Sequence, residues 1–196
     1  MYEATPSLPN REHDDGIAAP ARLNQSRGLL VVMHVMAAAA LILSTLVAGQ
    51  ANAAEIPAEL AVPGKTPALS VHAEGVQIYD CKTDAFGSMT WQFREPLATL
   101  MVSGKTVGRH FAGPTWQLSD GSSVVGRLAA QAPGKTDKDI AWLKLDVVSR
   151  QGDGALSNVN LVERLNTQGG VFKGACEQSG SLHLEPYSAD YSFFNK

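Results

Sequence analysis

Residues 114–130 read PTWQLSDGSSVVGRLAA. Asp120-Gly121 sits between two β-type runs, 115–118 and 123–128. Asp and Gly both tolerate positive φ, and an Asp-Gly pair flanked in this way is a strong short-range hairpin signal. Working outward, the same alternation of short β-type runs and turn residues extends in both directions. On the N-terminal side lie 69–71, then Gly75, then VQIYDC at 76–81, TWQFR at 90–94, 97–102, and 107–111 after the turn Ser103-Gly104-Lys105. On the C-terminal side lie 140–149, the turn 151–154, 156–165, the break at Gly169-Gly170, and finally 181–185 and 191–194.

Within these runs the side chains sort by a period of two. Leu143, Leu145 and Val147 share a face, with Trp142 out of phase. Val159, Leu161 and Glu163 fall opposite Asn160, Val162 and Arg164. In 76–81 neither face is purely polar, which predicts an inner strand. After residue 54 no stretch keeps a 3.6-residue apolar spacing over three turns. The expectation is an all-β fold, an antiparallel β-sandwich or barrel of about nine or ten strands.

The chain has 196 residues, which suits one domain with a short extension. The extension is N-terminal. Residues 1–27 are polar and carry Arg11, Arg22, Arg27, Pro6, Pro9 and Pro20. An apolar run from 28 to about 48 follows, and Ala51-Asn52-Ala53 ends it. A basic flank, an apolar core and small residues three and one before a cut form a signal-peptide pattern. It predicts cleavage after Ala53, residues 1–53 as a signal peptide with a long polar head, and 54–196 as a single exported domain. The run of 28–48 is also long enough to span a bilayer, so an uncleaved anchor is the rival reading. Both place the domain beyond the membrane, secreted or periplasmic.

The net charge is −3, and the basic residues are scattered. That pattern points away from nucleic acid and from an anionic membrane surface. Membrane contact is expected only through the N-terminal segment if it stays attached. Cys81 and Cys176 are the two cysteines, and both lie in the exported part. In an oxidising compartment they are expected to pair, with two buried thiols as the alternative. The closed loop of ~95 residues would contribute ~4–5 kcal/mol in the chain-entropy picture.

Several blocks now stand in order: VQIYDC at 76–81, GPTWQL at 113–118, Asp120-Gly121-Ser122, VERLNTQGG at 162–170, Cys176, and PYSADY at 186–191. Together they resemble a family of secreted bacterial and fungal proteins catalogued as a domain of unknown function. The resemblance covers nearly all of 56–194 and implies an exported β-rich domain with a paired cysteine. Fungal relatives sometimes carry a malate dehydrogenase label. This chain lacks the Gly-x-Gly-x-x-Gly turn and the β/α alternation that label would need.

Candidate site residues are few. Arg109, His110 and Trp116 lie close together around Gly113-Pro114 and could line a polar ligand pocket. Alternatively, His110 bonds a backbone carbonyl beneath the turn. Trp91, Trp116, Trp142, Tyr79, Tyr187 and Tyr191 suit a core, or stacking platforms for sugars. Trp116 and Tyr187, near prolines and loops, are the expected exceptions to burial. Asp190 is expected to pair with Arg109 or Arg164. Asp120 and Asp153 are explained by turn chemistry. No Gly-x-Ser-x-Gly elbow occurs, and His72, His110 and His183 lack metal-ligand spacing. No cofactor is indicated. The leading expectation is binding of a small molecule or glycan through Arg109, His110, Trp116, Tyr187 and Asp190. The alternatives are an envelope or surface interaction protein and a hydrolase using His110 with a carboxylate.

Overall fold

The computed structural model describes residues 55–196. The expected signal or anchor, 1–53, lies outside the described residues. Eight strands follow one another: β1 Leu69–Thr83, β2 Met89–Val102, β3 Lys105–Phe111, β4 Thr115–Leu118, β5 Ser123–Ala132, β6 Trp142–Gln151, β7 Val159–Gly169 and β8 Leu182–Asn195. Each pairs antiparallel with its neighbour, and β8 pairs with β1, so the sheet closes into a barrel. Closure removes the open edges of a sheet. The first and last strands are neighbours, and the order is up-and-down throughout.

The count is eight rather than nine or ten because short runs merge. Runs 69–71 and 76–81 are both part of β1, which passes through Gly75. A Cβ there would lie 2.1 Å from the Leu97 carbonyl oxygen of β2. Gly75 is thus a close approach between strands rather than a break. Runs 90–94 and 97–102 likewise form β2, with a register shift opposite Ile78/Tyr79 in place of a turn. Runs 181–185 and 191–194 form β8, and Pro186 stays in the ladder opposite Val76.

The Asp120-Gly121 turn joins β4 to β5. Of the pair, Gly121 takes positive φ, 86°. Asp120 contributes through its carboxylate, which accepts from the Ser122 amide at 2.8 Å, the Ser122 hydroxyl at 2.6 Å and the Ala155 amide at 2.8 Å. Those bonds hold its pKa below the ordinary carboxylate value, the Ser122 hydroxyl contributing most. They also tie this turn to the β6–β7 connection.

The barrel is filled unevenly along its axis. One end is plugged by Leu118, Val124, Leu156, Val159 and Phe193. The inward faces of β1 and β8 continue this core through Val71, Ala73, Ala189 and Tyr191. Leu143, Leu145 and Val147 pack inward from β6 as their shared phase predicted, while Trp142 joins Leu60 and Ala132 in a separate cluster. On β7 a register shift between Val159 and Leu161 changes the phase, so Val159 and Val162 both reach the core. The disulfide is present. Cys81, near the end of β1, is bonded to Cys176 in the segment before β8. That segment also bridges β2 at Thr90 and Ala175.

Candidate functional site

The other end of the barrel is different. Here β1, β3 and β7 finish, and β2, β4 and β6 begin. A pocket of about 630 Å³ opens between them. Its apolar lining comes from Phe93 and Pro96 of β2, Leu143 of β6, Ile140, Val171 and Phe172. Its polar lining includes Gln77, His110 and Arg164. A largely apolar concavity with a few convergent polar groups is the usual form of a small-molecule site.

The walls are fixed by local bonds. Tyr79 donates its hydroxyl to the Gly170 carbonyl at 2.6 Å and accepts from the Phe172 amide at 3.2 Å. Across the pocket, Thr167 donates to the Ile140 carbonyl at 2.6 Å, and the Asp139 carboxylate accepts from the Gly169 amide at 2.7 Å. These contacts hold 139–141 against the end of β7. The turn 112–115, with a cis Gly113–Pro114 bond, completes the rim, closed by Thr115 donating to the Ala112 carbonyl at 2.7 Å.

His110 sits at the base of the pocket with 1% of its surface exposed. It stacks on Trp116, centroids 4.6 Å apart, and leans on Tyr191 at 5.2 Å. Its Nδ1 lies 2.8 Å from the Thr115 carbonyl oxygen. Burial pushes its pKa down to about 4, with Arg164 adding to the fall against the Thr115 bond. The ring is therefore neutral at pH 7. A carbonyl can only accept, so the proton is on Nδ1 and Nε2 presents a lone pair.

Arg164 reaches inward from β7, donating from Nε at 3.1 Å and Nη2 at 2.8 Å to the Ala141 carbonyl. Gln77, 3% exposed on the inward face of β1, has no hydrogen-bond partner for its Nε2. Deeper in the barrel the hydroxyls of Tyr187 and Tyr191 are also buried without partners of hydrogen-bonding geometry. Burial, reinforced by the neighbouring Tyr191, drives the Tyr187 pKa far upward, so its hydroxyl stays protonated.

Of the five expected site residues only His110 lines this pocket; Trp116 and Tyr187 are buried in the barrel core, and the other two lie outside. Arg109 points outward, donating from Nε at 2.9 Å and Nη2 at 2.7 Å to Gln117 and lying over the Phe111 ring. Asp190 is on the outer face of β8. It pairs with neither Arg109 nor Arg164 but with His72 Nδ1 at 2.8 Å, and it accepts from Asn166 at 3.0 Å. Trp116 and Tyr187 are not exposed platforms either: both are buried, because each follows its proline onto the inward phase of a strand. Trp91 is the tryptophan nearer the surface, packed on Phe172 and His183. Outside, Leu97, Leu182 and Leu184 form exposed apolar positions on β2 and β8. Among the described residues no three metal-ligating side chains converge.

Gln77, Arg164, Phe93 and Phe172 were not legible as site residues. For Gln77 a signal existed: it is the polar residue among Val71, Ala73, Gly75, Tyr79 and Cys81 on one face. Residues 62–195 match the family described as Protein of unknown function (DUF3455). No curated protein and no solved structure matches the chain. With the match spanning the whole barrel, the chain belongs to the DUF3455 family.

Proposed function

We propose that this is an exported binding protein that takes a small, largely apolar molecule into the mouth of its barrel. The observation that carries the reading is the asymmetry of the interior. One end is packed with aliphatic and aromatic side chains. The other holds a pocket of about 630 Å³ with apolar walls and, in its lining, Gln77 with a buried, unpartnered amide nitrogen. Buried polar groups are nearly always bonded. A fold that needed only stability would fill that end with hydrocarbon instead.

Sugar recognition had rested on exposed aromatic platforms at Trp116 and Tyr187. Their burial moves the candidate from an outer face to the mouth. Export is supported by the disulfide, which persists in oxidising compartments, and by the Ala51-Asn52-Ala53 site after the apolar run.

The test is a titration of the full chain with N-phenyl-1-naphthylamine, a neutral probe that fluoresces when it leaves water. Saturable enhancement at one site per chain is expected. Ala112→Trp adds bulk at an exposed position of the rim and should weaken the probe at least tenfold without lowering the melting temperature. A rise that does not saturate, or one that Ala112→Trp leaves unchanged, rejects the mouth as the site.

A further inference from the structure

The chemistry of the pocket base narrows the ligand class, and this step rests on the pocket reading above. Arg164 is partly buried, and its hydrogen bonds, from Nε and Nη2, go to one neutral carbonyl. Three other cations do have carboxylate partners, although outward-facing Arg109 also bonds a neutral group, Gln117. Lys82 lies 2.8 Å from Asp80, Arg94 lies 2.8 Å from Glu95, and Arg127 lies 3.8 Å from Asp146. Among the described residues no carboxylate lies within ion-pair distance of Arg164. A guanidinium drawn from water without an anion is costly, and pairing it with one recovers that cost.

The other groups facing the pocket reinforce this sign. Gln77 offers an unpartnered amide N–H at 3% exposure. His110, neutral and bonded to Thr115, adds no second positive charge. At the rim, Lys173 is exposed, and the Glu95 carboxylate is already held by Arg94. Glu95 is the one carboxylate in the lining, opposite three cationic side chains. Phe93, Pro96, Leu143, Val171 and Phe172 can shelter hydrocarbon but cannot solvate a charge.

We infer that the ligand is an amphipathic organic acid whose carboxylate meets Arg164 and the Gln77 amide while its hydrocarbon body lies along the aromatic and aliphatic wall. Guanidinium–carboxylate bonds are among the stronger polar contacts, and here they would form away from bulk water.

The experiment displaces N-phenyl-1-naphthylamine from the full chain with octanoate, octan-1-ol and octylamine, which share a tail and differ in head charge. Octanoate should bind at least tenfold more tightly than octan-1-ol, and octylamine most weakly, since a charge-assisted bond is worth on the order of a factor of ten or more. Arg164→Gln should abolish the octanoate advantage over octan-1-ol. An octan-1-ol affinity equal to that of octanoate, or an advantage that survives Arg164→Gln, overturns the inference. If that variant fails to fold, the wild-type ratio decides alone. Failure of the probe itself to bind sinks the pocket reading. Binding of the probe with equal displacement by all three sinks only the charge assignment.

Discussion

His110 shows how much one buried side chain sets. Its ring fills the space between Trp116 and Tyr191, and burial holds its pKa near 4 against 6.5 in water. As pH falls, the unfolded chain takes up that proton first. The contribution of neutral His110 is therefore complete above pH 6.5 and is lost as pH drops toward 4, amounting to about 3 kcal/mol. Urea unfolding at a series of pH values should show this loss in the wild type and not in His110→Gln; equal slopes would contradict it. Asp120 and Asp139, whose pKa values are lowered, titrate below that window. Gly126 gives a second residue-level prediction. A Cβ there would lie 3.0 Å from Trp116 Cζ3 and 3.2 Å from Leu145 Cδ2. Gly126→Ala should cost about 1–3 kcal/mol by overpacking, and an unchanged urea midpoint would show that the two side chains yield freely. At this scale legibility depends on phase. His110 beneath a turn carbonyl was readable from RHFAGPTW. Arg164 was not, because 159–165 alternates with apolar residues on both faces, and only pairing with β6 and β8 decides which face is inward.

Among elements, the segment between β7 and β8 carries the most consequence for the site. It supplies Val171, Phe172 and Lys173 to the pocket and is held by Tyr79, by the Thr90–Ala175 bridge and by the Cys81–Cys176 bond. Replacing both cysteines with alanine should cost about 4 kcal/mol in the chain-entropy picture. It should also weaken N-phenyl-1-naphthylamine binding, since one wall loses its anchor. Unfolding and probe titration of the double variant measure the two effects separately; full retention of binding would mean that Tyr79 suffices to hold the wall. The pairing of the cysteines was legible from compartment and count. Strand boundaries were less so. Gly75 and the gaps at 95–96 and 186–190 separated runs in the sequence, yet each lies within a long strand of the closed sheet. Gly75 is required by close backbone approach, and Pro186 remains in register opposite Val76.

For the whole molecule, the β-only composition and the Asp120-Gly121 turn were enough to predict an antiparallel fold, but not to choose a barrel over a sandwich. That choice depends on β1 pairing with both β2 and β8, a long-range register that no local run encodes. The same closure creates the mouth, which explains why a pocket was not visible in the sequence. Export has its own test. If the signal reading holds, mass spectrometry of the protein recovered outside the cytoplasm should find Ala54 as the first residue, whereas an intact N-terminus in the membrane fraction supports the anchor. The most direct test of a binding site in the barrel mouth is a backbone amide NMR map during titration with N-phenyl-1-naphthylamine. Shifts should concentrate at 93–96, 112–114, 140–143 and 171–173. Shifts confined to the outer positions around Leu97, Leu182 and Leu184, or none at all, would contradict a binding site in the barrel mouth.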